Sequence, residues 1–188
     1  MITLRIATEK DAAALSRIYK YYVENTAISF EYIAPDEAEF SHRISHKLET
    51  YPFIVAEEDG TIIGYAYASR FRDRAAYDWS CELSVYLDKE HRGHGIGVRL
   101  YGALEEILRL QNLVTLVAGI TSPNERSEAL HKKTGFTLTG TMDYIGHKNG
   151  EWRNVMWYTK VLSHEPPKPI IPFPALDKST VKEILCKY

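Results

Sequence analysis

Apolar and polar positions alternate over residues 2–7, with Leu4 and Ile6 on one face, and this period of two predicts a first strand. The period then lengthens. Thr8-Glu9-Lys10-Asp11 has the spacing of a capping box. Leu15, Ile18, Tyr19, Tyr22 and Val23 follow at helical spacing, so an amphipathic helix runs to about Asn25. Pro35 and Asp36 open a second helix that turns Phe40, Ile44 and Leu48 inward. The run Phe53-Ile54-Val55-Ala56, the Asp59-Gly60 turn and the alternating stretch Ile62 to Phe71 predict a hairpin. A charged loop over 72–76 precedes a strand from Trp79 to Leu87. Leu100, Leu104, Ile107 and Leu108 mark a third helix, and Leu113 to Ile120 reads as a strand covered on both faces. A helix is expected from Ser122-Pro123-Asn124-Glu125, with the proline in its first turn, ending at Gly135-Phe136. Two last strands, about 136–145 and 151–161, flank a turn at Lys148-Asn149-Gly150.

The order β-α-α-β-β-β-α-β-α-β-β gives an α/β (α+β) fold class, a mixed central sheet of about seven strands with helices on both faces. Residues 1–162 make that domain. Five of the eight prolines lie between Pro166 and Pro174, so residues 163–188 are expected to form a Pro-rich C-terminal arm. Thr180 to Glu183 fits a second capping box and a short helix. With 188 residues, 45% of them hydrophobic, the chain has enough apolar material for one core. A net charge of -2 argues against a nucleic-acid or anionic-lipid surface. No apolar run of about 18 residues is present, so no membrane span is expected. Cys81 and Cys186 have no disulfide or metal spacing, which points to a reducing, cytoplasmic setting.

The segment Glu90-His91-Arg92-Gly93-His94-Gly95-Ile96-Gly97-Val98 carries the most chemistry. Glycines at alternate positions after a strand and before a helix let backbone N–H groups approach an anion, and the helix N-terminus adds partial positive charge. A flexible strand-to-helix turn would have the same glycines. Val98 stands where a dinucleotide fingerprint needs its last glycine, and the Gly-Lys-Ser/Thr of a P-loop is missing. His42 and His46 could share a helix face, but Arg43 replaces the glutamate of a metalloprotease motif, and His91 and His94 have no evident third ligand. No metal site is expected.

Arg92-x-x-Gly95-x-Gly97 after an alternating strand resembles the signature of the GNAT superfamily of N-acetyltransferases. The resemblance covers about residues 2–162. It sharpens toward the phosphinothricin and methionine sulfoximine acetyltransferase branch at Arg72-Asp73-Arg74-Ala75-Ala76-Tyr77, Glu82 to Leu87, Ser122-Pro123-Asn124 with Leu130-His131, and Gly146 to Trp152. It implies acetyl-CoA as co-substrate. The backbone of Val85, Tyr86 and Leu87 would run beside the pantetheine arm, with Arg92, Gly93, His94, Gly95, Ile96, Gly97 and Val98 around the pyrophosphate and Asn124 at the splay of the sheet. Glu82 is the implied general base and His131 the implied acid toward sulfur, with Tyr86 an alternative donor. Arg72, Asp73, Arg74, Phe30, Glu82 and Ser84 are expected around the acceptor, a small amino-acid-like amine of the phosphinothricin or methionine sulfoximine/sulfone type. The paired guanidinium forks suit its anionic or polar oxygens, although a solvated charged loop would read the same. Direct attack without a covalent acetyl-enzyme is expected, and a homodimer in which the Lys148–Trp152 hairpin approaches the partner's site. Leu83, Asp78 and Asn154 depart from residues common in this branch. Other outcomes compatible with the residues are a polyamine, aminoglycoside or protein-amine acceptor, and a non-catalytic acetyl-CoA sensor.

Overall fold

The computed structural model describes residues 1–188. Seven strands form one sheet in the order β1-β2-β3-β4-β5-β7-β6. They are β1 Ile2–Ile6, β2 Phe53–Glu58, β3 Thr61–Arg70, β4 Ser80–Leu87, β5 Thr115–Ser122, β6 Thr137–Lys148 and β7 Glu151–Val161. The helices are α1 Ala12–Asn25, α2 Glu37–Leu48, α3 Ile96–Leu110, α4 Glu125–Lys133 and α5 Lys178–Lys187. All neighbouring strands are antiparallel except β4 and β5, joined through α3 as a parallel pair.

Strand alternation divides the interior in two. Ile54, Ala56, Cys81 and Leu83 face Leu100, Leu104, Ile107 and Leu108 of α3. Phe53, Val55 and Tyr65 face the other way, onto Leu15, Ile18 and Tyr22 of α1 and Phe40 and Ile44 of α2. Burying such side chains is worth about 1.5–3 kcal/mol each, which is what draws the helices onto both faces. The turn into α1 is fixed by Asp11. Its carboxylate accepts from the Thr8 backbone N–H at 2.8 Å and holds the fork of Arg5 at 2.7 and 2.8 Å.

Four of the boundaries that differ from the sequence reading have a visible structural cause. β5 begins at Thr115, because Leu113 is spent in the buried turn leaving α3. α4 begins after Pro123: Asn124 is its cap, its side-chain oxygen accepting from the Ser127 N–H at 3.2 Å. β6 continues to Lys148 across an irregularity after Met142, where Tyr144 has φ 54° and its N–H donates to Asn154 Oδ1 at 3.0 Å. In the tail, Asp177 and not Thr180 caps α5, accepting from the Thr180 N–H at 2.8 Å. Val181 and Leu185 of α5 are buried in the α3-side core, and the chain end lies against Gly102 and Glu106 of α3.

Candidate active site

The parallel register between β4 and β5 runs only from Ser80↔Thr115 to Glu82↔Val117, although both strands continue for five residues beyond. Past Glu82 the sheet therefore splays. Backbone groups alternate along a strand. The Asp88 N–H bonds toward β3, at Ile63 O, while the Leu87 C=O and N–H point away from β3 to the Tyr22 hydroxyl at 2.6 and 3.2 Å. Val85, in phase with Leu87, presents its N–H and C=O to the gap where no strand pairs with it. An open cleft of about 640 Å³ occupies this gap, bordered by Glu82, Val85, Tyr86, Asn124, His131 and Trp157.

Side chains sort by face. Cys81 and Leu83 enter the α3-side core, so Glu82, Ser84 and Tyr86 lie on the opposite face. The pairings Glu82↔Val117, Val117↔Thr159 and Gly119↔Trp157 put Trp157 on that face too, two strands from Glu82 and one residue pair further along. Gly119, between them, has no side chain, and the indole edge leans over it. A carboxylate on β4 thus faces an aromatic wall on β7 across an open floor.

Burial pushes the Glu82 carboxyl above its usual range, with Arg72 and Lys47 pulling it part-way back. The Cys81 thiol is buried on the other side of the strand, where burial raises its pKa and disfavours a thiolate. His131 is buried, and burial lowers its pKa against the opposing hydrogen bond to Ser127. Its Nδ1–H donates to the Ser127 carbonyl at 2.7 Å, which fixes the tautomer, and Nε2 lies 3.1 Å from the Tyr101 hydroxyl, which donates to it. Burial also raises the Tyr86 hydroxyl well above its ordinary value.

Beyond the end of β4, Gly95 caps α3 with φ 75° and Gly93 has φ 91°, both in the region that glycine adopts without strain. The Val98 and Arg99 N–H groups bond back to Gly95 O, whereas those of Ile96 and Gly97 have no intrahelical acceptor available. Gly93, His94 and Gly95 are exposed, and Ile96 is anchored in the core. The Arg92 guanidinium stacks over Tyr21 and Tyr22, 5.1 and 5.0 Å from the ring centroids, and Nη2 has no partner. Unpaired donors, a helix N-terminus and a glycine cradle with open space fit a pyrophosphate.

Not every expected residue joins the cleft. Phe30, Glu82, Ser84, Val85, Tyr86, Asn124 and His131 border it. Leu87 and the loop from Arg92 to Val98 do not; the Leu87 backbone groups are taken by Tyr22. Arg72, Asp73 and Arg74 are exposed and outside the cleft wall, Arg72 lying on the Phe71 ring at 4.6 Å. Arg72 still acts on Glu82 through its charge. Tyr22 reads as an apolar helix position in the sequence and Tyr101 is not singled out there, and nothing in the pattern signals that their hydroxyls reach Leu87 and His131. His42 and His46 do share a face, their rings stacked at 6.0 Å, but no group of three metal-ligating side chains converges anywhere in the chain.

Residues 4–157 match the family model described as an acetyltransferase (GNAT) domain. The chain belongs to the GNAT acetyltransferases. It is 34% identical over 172 residues to phosphinothricin N-acetyltransferase of Streptomyces viridochromogenes, covering 91% of this chain and 94% of the relative. It is also 34% identical over 152 residues to the L-methionine sulfoximine/L-methionine sulfone acetyltransferase of Salmonella typhimurium, covering 80% and 89%. A phosphinothricin acetyltransferase from Sinorhizobium meliloti, solved in complex with acetyl-CoA, superposes with a TM-score of 0.86 at 35% identity, covering 93% of this chain and 97% of that one. The fold is the GNAT fold, and the chain is an acetyl-CoA-dependent N-acetyltransferase related to enzymes of these two names. No helix is long and apolar enough to cross a membrane.

Proposed function

We propose that this acetyltransferase acetylates the α-amine of a small amino acid bearing an oxidised sulfur or phosphorus group, by direct attack on the thioester. The single observation that carries the chemical part is the half-buried Glu82 carboxylate at the point where the sheet opens, with its proton affinity raised. An ammonium ion has no lone pair, so a base must take its proton, and a carboxylate moved up from its usual range is better suited to that than an exposed one. The acetyl-CoA thioester supplies the activated acyl group. As the amine attacks, charge grows on the acyl oxygen, and the unpaired Val85 N–H at the splay is the donor we assign to it. The departing thiolate is a weak base, comparable to cysteine at about 8.5, so protonating it is a lesser requirement. We assign Glu82 as the dominant group; His131, neutral with its Nδ1–H on the Ser127 carbonyl and its Nε2 accepting from Tyr101, has no proton free for the sulfur, and its part is to hold the Tyr101 hydroxyl. The buried Cys81 thiol supports a mechanism with no acetyl-cysteine.

The names of the relatives support the acceptor class. The exposed Arg72 and Arg74, outside the cleft wall, fit an acceptor whose polar end reaches the mouth. The reading includes a second copy of the chain on the exposed β6 edge, and a reducing, cytoplasmic setting for the two unpaired cysteines.

Thiol release from acetyl-CoA, measured with methionine sulfone, methionine sulfoximine, phosphinothricin, spermidine and a lysine peptide, tests the proposal beside Glu82→Gln. Saturable release with the first three, lost about 10²–10⁴-fold in the variant with acetyl-CoA binding retained, is the expected result. Turnover of only the cationic amines would discard the acceptor class and keep the chemistry.

A further inference from the structure

Lys148 lies on β6 at the turn into β7, a place where lysine side chains ordinarily stand in solvent, yet it is 2% exposed. It forms no ion pair. Its Nζ donates to the backbone carbonyl of Glu31 and sits 5.0 Å from the Tyr32 ring centroid. Two further contacts join the same segments. The Tyr32 hydroxyl donates to His147 O at 2.5 Å, and the Phe30 ring packs so closely on Gly146 that a Cβ there would fall 2.2 Å from it. The segment 28–32 is thus fastened to the end of a hairpin more than a hundred residues away in sequence.

Its other side is fastened as well. The Tyr19 hydroxyl reaches Ser29 Oγ at 2.7 Å and Glu31 Oε1 at 2.9 Å, and Arg43 forks onto the Glu31 carboxylate at 2.8 and 3.2 Å. Between these two anchors, Ile28, Ser29, Phe30 and Glu31 form one wall of the cleft that Glu82 borders. α1 and α2 hold the wall from behind, the Thr121 hydroxyl of β5 reaches Ile28 O at the long distance of 3.5 Å, and the Lys148 cluster ties the wall to the hairpin. A buried ammonium is costly to desolvate, and here the return is a charge-assisted bond to a carbonyl and a cation–π contact, both directional.

We infer that Lys148 is a positioning residue for the acceptor, setting the wall formed by residues 28–31 at the distance the acceptor needs. This rests on the cleft being the acceptor site proposed above. Lys148 touches neither reacting atom. It acts through the Glu31 carbonyl, and misplacing a substrate-positioning wall by about 1 Å is enough to cost up to 10²-fold in turnover.

The test uses the full chain as Lys148→Met, Lys148→Arg and Tyr32→Phe, reading the KM for methionine sulfone, the KM for acetyl-CoA and amide hydrogen exchange. Lys148→Met is expected to raise the acceptor KM about tenfold, to leave the acetyl-CoA KM within about twofold, and to speed exchange at residues 28–32 selectively. Lys148→Arg should restore most of the acceptor KM, and Tyr32→Phe should show a smaller effect of the same sign. An unchanged acceptor KM with unchanged exchange at 28–32 would overturn the inference. So would a parallel rise in both KM values with faster exchange throughout the chain, which marks a purely structural role. If the wild-type chain turned over no amino acid, the acceptor assignment would fall, and selective exchange at 28–32 would still decide whether Lys148 sets the wall.

Discussion

At the scale of single residues, Glu82 is half-buried and His131 buried, and burial drives the two titratable groups in opposite directions. It favours the neutral form of each, raising the carboxyl and lowering the imidazole. For a base the consequence has a definite sign. Glu82 must be unprotonated to accept a proton, so kcat/KM should climb with pH through a limb above the ordinary glutamate value of about 4.3. The acceptor's amine gives a second climb at its own pKa, which moves from one acceptor to another. A pH profile with two acceptors of different amine basicity separates them: the limb that stays in place belongs to Glu82, and Glu82→Gln should remove it. A limb that survives in the variant would show that another group takes the proton. Glu82 was legible in the sequence only because its strand resembles a family segment. The environment that shifts its affinity was not, since Lys47 comes from α2 and Arg72 from the loop after β3.

At the scale of elements, periodicity was a sound guide wherever one face of a helix or strand met the core, as in α1, α3 and β2 to β4. It failed where hydrogen bonding overrode it. β6 reads as ending near residue 145; in the structure its pairing lapses over Asp143 to Ile145, the Asn154 side-chain oxygen accepts from the Tyr144 N–H, and the ladder resumes at Gly146↔Arg153 and runs to Lys148. The splay between β4 and β5 left no mark in the periodicity and was implied only by the family resemblance, because each strand is regular by itself and only their register ends. The glycine loop was readable as an anion cradle because its need is local: Gly95 holds φ 75° at the N-cap of α3. Its Cβ position is open, so Gly95→Ala introduces backbone strain and no clash. At about 1–2 kcal/mol for a left-handed alanine, the acetyl-CoA KM should rise about tenfold, with the acceptor KM unchanged. Steady-state kinetics varying each substrate in turn checks this. A change confined to the acceptor KM would mean that the loop does not hold the cofactor.

At the scale of the whole molecule, the two ends of the sheet are finished differently. The β1 end is covered, since α5 packs on β1 and α3 and brings Val181 and Leu185 into the core. The β6 end is bare. β6 is a twelve-residue edge strand, with Leu138 52%, Met142 45%, Tyr144 71% and Ile145 56% exposed and Trp152 of β7 58% exposed beside it. A long apolar edge is a liability for a chain that works alone, because its unpaired backbone and greasy side chains recruit other strands. A second copy seated on this face would bury it. Met142 and Ile145 also border the cleft, so such a partner would steady the wall opposite residues 28–31. Sedimentation at micromolar concentration should therefore give twice the 21.5 kDa of one chain. Leu138→Glu, which puts a charge on the edge at a position remote from the cleft wall, should shift the mass toward the monomer and lower kcat with it, since burying an unpaired carboxylate in an interface is strongly disfavoured. Full activity in a monomeric variant would separate assembly from catalysis, and a wild-type monomer across the concentration range would leave the β6 face without a second copy.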